Sequence, residues 1–143
     1  MTVLYLETSA LLSWLFNESD ALKIIERVNR TDLIVTSVLI RVETVRAINR
    51  ALNENLITED QHKNLIRNFE DQLKSWFTMS IDDAVLDGAS KGFPVEPERS
   101  LDAIHLATAL EYKKLYPELK ILSLDNRIIR NAEVMGMISF VPE

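Results

Sequence analysis

The sequence predicts an α/β protein whose central parallel sheet is covered by helices on both faces. Short apolar runs typical of buried strands recur along the chain, and segments with helical periodicity separate them. Strands that alternate with helices in this way form right-handed βαβ units, which make the strands parallel. Five runs are predicted to be strands, and they cover residues 3–6, 33–36, 76–79, 120–123 and 138–141.

The composition favours one globular domain and narrows the classes of function. The chain has 143 residues, 47% hydrophobic and 27% charged, and we expect a single domain over residues 1–143. The net charge of −6 argues against a broad basic surface for duplex nucleic acid, although an acidic metal site in a nucleic-acid enzyme would itself add negative charge. The absence of cysteine agrees with a reducing cytoplasm. The N-terminal segment predicts neither a signal peptide nor a membrane span.

The first strand is predicted to lead directly into a helix. It ends at Glu7, so an acid lies where a strand stops and a helix starts. Either Thr8 or Ser9 can cap the helix over residues 10–16, and capping is the role that we favour for Ser9. A second helix follows, with Ser19 or Asp20 as its cap and with an apolar face formed by Leu22, Ile25 and Val28.

A long amphipathic helix is predicted to start at Ser37, directly after the second strand. Glu43 lies off its apolar stripe, early enough in the helix to reach the end of the sheet. The alternative is an exposed ion pair with Arg46, three residues later on the same side. The predicted core side of the helix is formed by Val38, Val42, Val45, Ile48 and Leu52.

The middle of the chain predicts a helical hairpin and then a strand, a helix and a loop. Residues 58–61 have the pattern of a capping box before the second helix of the hairpin. The apolar surface of the hairpin is assigned to core packing, with a partner as the alternative. Asp82 or Asp83 caps a helix over residues 84–90, and residues 91–99 form a glycine- and proline-containing loop. The apolar stripe of the hairpin's second helix is Leu65, Ile66, Phe69 and Leu73.

A nearly all-apolar helix after that loop is predicted to be buried. Ser100 is its candidate N-cap. Asp102 lies in its first turn, where an acid either complements the helix dipole or belongs to a functional site. His105, one turn later, is interpreted as a hydrogen-bonded core histidine rather than a catalytic base, because its helix is so apolar.

The end of the chain repeats the arrangement of an acid after a strand. Asp125 follows the strand over residues 120–123, and a helix over residues 127–135 comes next. Gly136 is placed to close that helix, because glycine adopts the left-handed conformation found after helix ends. The strand over residues 138–141 then completes the sheet.

Four acids from distant parts of the chain are therefore predicted to meet at one rim of the sheet: Glu7, Glu43, Asp102 and Asp125. Sites in parallel sheets lie beyond the carboxyl ends of the strands. Crowded carboxylates repel one another, and a hard cation such as Mg²⁺ or Mn²⁺ relieves this repulsion. With two histidines and no P-loop in the sequence, metal-assisted hydrolysis of a phosphodiester is the chemistry that fits best.

Several short motifs occur in the order and spacing of a known family. They are Tyr-Leu-Glu-Thr-Ser-Ala-Leu at residues 5–11, Ser37 with Glu43 and Arg46, Arg99 with Leu-Asp-Ala-Ile-His-Leu-Ala at residues 101–107, and Ser123 with Asp125 and Gly136. On these motifs the chain resembles the PIN-domain ribonucleases, of the kind found as VapC toxins in bacterial and archaeal toxin–antitoxin pairs. The resemblance covers nearly the whole chain, and the segment around Asp102 is its most specific part.

The resemblance implies an α/β/α sandwich and Mg²⁺- or Mn²⁺-dependent endonucleolytic cleavage of RNA. It implies a homodimer and a cognate antitoxin that inserts a segment over the active site. Ser9 and Ser123 lie near the acids in such proteins, where they either orient ligands or cap helices. The first acid is usually aspartate in the family, and Glu7 departs from this, which bears on metal preference and turnover. The implied catalytic acids are Glu7, Glu43, Asp102 and Asp125, and the metal ligands among them are Glu7, Asp102 and Asp125.

Other residues have two open interpretations each. Arg99, Arg46 and Arg127 are candidates for phosphate contact, or they are surface charges or partners of neighbouring acids. Trp14 and Trp76 are interpreted as core residues rather than base-stacking platforms. Two other functions compete with the ribonuclease: a PIN-like domain that binds RNA or a protein without cutting, and a receiver-type phospho-acceptor domain. The receiver is disfavoured because the early acid pair and the late lysine that it needs are not evident.

Overall fold

A five-stranded parallel sheet runs through the computed structural model, which describes residues 1–95 and 99–140. The strands are β1 (Val3–Leu6), β2 (Leu33–Ser37), β3 (Phe77–Met79), β4 (Lys120–Leu122) and β5 (Ile138–Phe140). Their order across the sheet is β3-β2-β1-β4-β5, and each neighbouring pair is parallel. The first strand is therefore central. The next two strands along the chain, β2 and β3, are added on one side of it, and β4 and β5 are added on the other side. This change of side opens a crevice at the carboxyl ends of the central strands.

Seven helices connect and cover the strands of the described part of the chain. They are α1 (Thr8–Leu15), α2 (Ala21–Asn29), α3 (Leu39–Asn53), α4 (Glu59–Leu73), α5 (Asp83–Ala89), α6 (Ser100–Leu115) and α7 (Asn126–Val134). None of the helices in residues 1–95 and 99–140 is both long and apolar enough to cross a bilayer. The predicted alternation of strands and helices is confirmed. Residue 141 of the predicted last strand and residues 96–98 of the predicted loop lie outside the described residues.

The central strand supplies side chains to two separate apolar cores. Leu4 and Leu6 face one side, where they pack with α1, α2 and α3. Val3 and Tyr5 face the other side, where they pack with α6 and α7. This alternation follows from the two-residue period of a strand, and burial on both faces explains why the strand is apolar throughout. The three-layer sandwich implied by the resemblance is confirmed.

Two predicted helix faces are only partly correct, because Val28 and Ile48 are buried as predicted whereas Leu22 and Val42 are exposed. Leu22 is 80% exposed, and α2 buries Ile24 between Ala21 and Val28 instead. In α3, Val42 is 59% exposed, and the residues that face the core are Ile40, Thr44, Ile48 and Ala51. The valine stripe lies instead along an open groove between α3 and α4, lined by Val38, Val42, Val45, Phe69 and Leu73. The valines of the predicted stripe therefore line the helical hairpin, while Ile48 packs into the core as predicted.

The predicted helix ends are partly correct. The capping box of α4 is present, with Thr58 as N-cap and Gln61 as its reciprocal partner. Asp82 caps α5 through the backbone N–H of Val85. Gly136 follows α7 with a φ of 74°, in the left-handed region that glycine accepts without strain. Ser100 is wrong as the cap of α6, because the helix starts at Ser100 itself and the N-cap is Arg99.

Candidate active site

Glu7 is buried at the end of β1, and its carboxylate is turned back toward its own helix. It is the N-cap of α1, where Oε2 accepts from the backbone N–H of Ser9 at 2.7 Å. Oε1 accepts from the hydroxyls of Ser9 and Ser123, each at 2.6 Å. The predicted caps Thr8 and Ser9 are therefore wrong, because the acid before them does the capping. Three donors hold the charged group of Glu7 in place.

Two serine hydroxyls join the ends of β1 and β4. Ser123 is fully buried, and its Oγ accepts from the backbone N–H of Asp125 at 3.0 Å while it donates to Glu7. Ser9 Oγ accepts from the backbone N–H of Leu124 at 2.9 Å. Because both hydroxyl hydrogens point to Glu7, the serines orient the carboxylate of Glu7. They also hold the backbone of the loop that carries Asp125.

The side chain of Arg99 bridges the carboxylates of Asp102 and Asp125. Its Nε lies 3.0 Å from Asp102 Oδ2, and its Nη2 lies 3.2 Å from Asp125 Oδ2. The pKa of Arg99 is raised, mainly by the hydrogen bond and the charge of Asp102. The charges of Asp125 and Glu43 add to this effect, and together they outweigh desolvation. Asp125 also caps α7, because Oδ1 accepts from the backbone N–H of Arg127 at 2.9 Å. A single guanidinium therefore bridges two of the predicted metal ligands and offsets part of their negative charge.

Glu43 joins the same rim from α3. Its Oε1 accepts from the Thr8 hydroxyl at 2.8 Å and from His105 Nε2 at 2.6 Å. Burial acts to raise the pKa of Glu43, but the hydrogen bonds and charges of His105, Thr8 and Arg99 outweigh it, so the pKa is lowered. Glu43 is therefore ionised at neutral pH. No ion pair joins it to Arg46, although both residues belong to the described part of the chain.

His105 lies under the rim and is only 2% exposed. Its Nδ1 is 2.6 Å from the hydroxyl of Tyr5, which is fully buried. Burial acts to lower the pKa of His105, but the hydrogen bond to Glu43 and the negative charges of Glu7, Glu43 and Asp102 raise it overall. The interpretation of His105 as a hydrogen-bonded core histidine is confirmed.

These contacts bring the four predicted acids to one rim. Ser123 connects Glu7 to Asp125, Arg99 connects Asp125 to Asp102, and Thr8 connects the start of α1 to Glu43. Their oxygen donors match Mg²⁺ or Mn²⁺ in type. Nevertheless, within residues 1–95 and 99–140 no three acids or histidines are grouped closely enough to hold a metal ion. The contacts give the reason: the serines hold Glu7, and Arg99 lies between the two aspartates.

Comparison with known proteins identifies the family. The family model described as PIN domain matches residues 4–134. The chain belongs to the PIN-domain family. It is also similar to Ribonuclease VapC35 of Mycobacterium tuberculosis, in strains CDC 1551 / Oshkosh and ATCC 25618 / H37Rv. In each case 32% of residues are identical over 142 residues, which cover 98% of this chain and 97% of the relative.

Sequence reasoning missed two residues of this PIN domain. The sequence predicts for Thr8 only the role of a helix cap, yet its hydroxyl donates to Glu43. The sequence predicts Tyr5 as part of an apolar strand, yet its hydroxyl contacts His105. A tyrosine in the middle of a fully buried strand was the available signal, because its hydroxyl needs a partner there. Trp14 and Trp76 are partly buried and pack against one core, as expected, and the centroids of their rings are 6.1 Å apart.

Proposed function

We propose that this chain is a metal-dependent endoribonuclease of the VapC type, which hydrolyses RNA phosphodiester bonds as the toxin of a toxin–antitoxin pair. The observation that carries the proposal is the gathering of Glu7, Glu43, Asp102 and Asp125 at the carboxyl ends of the central strands. The similarity over nearly the full chain to proteins named ribonucleases supports the same chemistry. The charge and oxygen donors of the rim support Mg²⁺ or Mn²⁺ as the cofactor.

Each residue of the rim has a proposed role. Asp102, Asp125 and Glu7 would hold the ion, which would polarise a phosphoryl oxygen and favour ionisation of water. Arg99, whose side chain is 63% exposed, would leave the two aspartates and contact a phosphate of the RNA. Glu43 would accept a proton from the attacking water, since it is ionised. Ser9 and Ser123 would orient Glu7.

The acidic rim also supports the proposed partners. A cognate antitoxin would cover it with a segment that carries a basic side chain, because opposite charges attract across such a contact. Arg99 shows that a guanidinium fits between Asp102 and Asp125. RNA is the proposed substrate, and we retain a homodimer as the proposed assembly of the single PIN domain.

The proposal is tested by incubating the purified protein with RNA in Mg²⁺, in Mn²⁺ and in EDTA. We expect discrete RNA fragments with at least one of the metals and intact RNA in EDTA, with cleavage restored when the metal is added back. Cleavage that continues undiminished in EDTA would contradict the metal-dependent mechanism. The control is a preparation of the Asp102→Asn variant purified in parallel, which reports any contaminating nuclease.

A second candidate function is a PIN domain that binds RNA or a protein partner with little or no cleavage. The position of Glu7 favours it, since three hydrogen bonds turn this carboxylate toward Ser9 and Ser123. The same incubation distinguishes the two functions when RNA binding is measured alongside cleavage. Bound RNA that stays intact in both metals would favour this second candidate.

Replacement of Arg99 by glutamine is expected to strengthen metal binding. The positive charge between Asp102 and Asp125 competes with a divalent cation, so its removal should lower the Mn²⁺ dissociation constant by about 1.4- to fivefold for each of the two contacts, the range for exposed ion pairs. Isothermal titration calorimetry measures this constant directly. Arg46→Gln is the matched control, because Arg46 has no ion pair with the acids in the described part of the chain. Unchanged or weaker Mn²⁺ binding to Arg99→Gln would contradict the competition.

A further inference from the structure

We propose that Tyr5 and His105 are positioning residues that hold Glu43 in the orientation needed for cleavage. The three side chains form one line of hydrogen bonds from the core to the rim. Tyr5 Oη lies 2.6 Å from His105 Nδ1, and His105 Nε2 lies 2.6 Å from Glu43 Oε1. The role in cleavage rests on the proposed function, whereas the hydrogen-bond line itself does not.

The chemistry of the groups fixes one hydrogen in this line. An ionised carboxylate can only accept, so His105 must carry a hydrogen on Nε2, where it faces Glu43. A histidine ring can turn over and exchange its two nitrogens unless each has a partner. Tyr5 supplies the second partner at Nδ1 and thereby keeps Nε2 directed at the acid.

The surroundings leave the ring little freedom to move. Tyr5 is completely buried and His105 nearly so, and their rings meet edge to face with centroids 5.9 Å apart. Tyr5 is anchored in the central strand β1, and His105 is anchored in the buried helix α6. Two rigid elements therefore define where the Nε2 hydrogen points. Glu43, by contrast, comes from α3 and has a side chain that is 25% exposed.

The hydroxyl of Thr8 adds a second donor to the same oxygen of Glu43, at 2.8 Å. Thr8 and His105 both donate to Oε1, and no hydrogen bond to Oε2 is made within the described residues, so Oε2 is left to accept a proton from water. A general base needs one oxygen that is held in place and another that can take a proton from water, and the carboxylate of Glu43 has this arrangement. Removal of the Tyr5 hydroxyl would loosen the ring, and removal of the imidazole would leave Oε1 with Thr8 as its remaining donor.

The hydrogen-bond line can be observed without any activity measurement. The chain has two histidines, so the imidazole N–H signals of ¹⁵N-labelled protein are assigned by comparison with a His62→Gln variant. We expect an N–H signal from His105 Nε2 that persists in water at neutral pH, because this group is buried and hydrogen-bonded. His62 is more exposed, and its N–H should exchange with solvent. A missing His105 Nε2–H signal in the folded protein would overturn the proposal.

Kinetics of variants test the consequence for cleavage. Tyr5→Phe is expected to lower kcat about tenfold with little change in KM, since one buried hydrogen bond is lost. His105→Leu should lower kcat further, and His105→Gln should recover part of it, because glutamine keeps an N–H donor. In a Glu43→Gln background, Tyr5→Phe should have no further effect on kcat, since there is no longer a base to position.

Tyr112→Phe is the matched control for the loss of a buried tyrosine hydroxyl. The Tyr112 hydroxyl donates to backbone carbonyls of Thr36 and Phe77, each at 3.2 Å, and its ring lies 6.3 Å from that of Tyr5. We expect this variant to lose thermal stability but to keep kcat. Two results would overturn the positioning role. One is an equal loss of kcat in Tyr112→Phe and in Tyr5→Phe. The other is a further loss of kcat when Tyr5→Phe is added to the Glu43→Gln variant. If the unaltered protein cleaves no RNA, the proposed function fails while the N–H signal still tests the hydrogen-bond line.

Discussion

Replacement of Asp102 by asparagine is expected to lower the rate of RNA cleavage about a thousandfold or more, because a catalytic cation stabilises the transition state by several kcal/mol. Asparagine keeps the size of the side chain and one oxygen, but it lacks the charge that attracts the cation. The same variant should bind Mn²⁺ much more weakly in calorimetry. Both losses are expected even though the only ion pair of Asp102 in the described part of the chain is with the exposed side chain of Arg99.

The fold should survive this substitution. Asp102 lies in the first turn of α6, where loss of a favourable charge–dipole interaction costs about 0.3–1 kcal/mol. A small decrease in melting temperature with unchanged circular dichroism is therefore expected. Asp60→Asn is the matched control, because Asp60 is an exposed acid in the first turn of α4 and belongs to no site. If Asp102→Asn and Asp60→Asn cleaved RNA equally well, Asp102 would not belong to the active site.

The architecture was predictable because its strands are buried on both faces. Such strands form continuous apolar runs, and the run over residues 3–6 coincides with β1. The acids that follow β1 and β4 could be placed on the same rim from chain direction alone, since all strands of a parallel sheet end on one side. The position of Glu43 was less certain from sequence, because a helical residue near the rim can equally point to solvent.

The helix faces were less predictable for a physical reason. An apolar stripe shows that a helix has a partner but does not show which partner it has. Val42 and its neighbours in α3 face α4, while the sheet side of α3 includes Thr44, a polar residue that the apolar pattern passes over. Likewise, Leu22 is exposed because α2 turns Ile24 toward the core. Only the packed structure resolves these choices.

The sequence places Ser9 and Ser123 near the acids through the family resemblance, but the individual contacts inside the site were beyond sequence reasoning. The carboxylate of Glu7 both caps α1 and accepts from the hydroxyl of Ser123. Ser9 could be recognised as a residue near a helix start, but its hydroxyl serves the acid before it rather than the helix. These side-chain orientations depend on residues more than 100 positions apart, such as Ser123 and Glu7. Local sequence carries no information about such pairings.

Replacement of Glu43 by glutamine is expected to lower kcat about a hundredfold or more, which is within the range for loss of a general base. Glutamine has the same shape, and its Oε1 can still accept from Thr8 and His105, so the fold and RNA binding should change little. Mn²⁺ affinity should fall less than in Asp102→Asn, because Glu43 is proposed to act on water rather than to hold the ion. Single-turnover kinetics measure the rate, and calorimetry measures the affinity.

The comparison between these two variants separates the roles of the acids. Loss of metal binding should accompany loss of cleavage in Asp102→Asn, whereas Glu43→Gln should lose cleavage and largely keep the metal. Glu54→Gln, an exposed acid at the far end of α3, is the control for charge removal from the same helix. A Glu43→Gln enzyme with unaltered kcat would assign proton acceptance to another group. A Glu43→Gln enzyme that loses the metal as fully as Asp102→Asn would instead make Glu43 a ligand, because the two acids would then share one role.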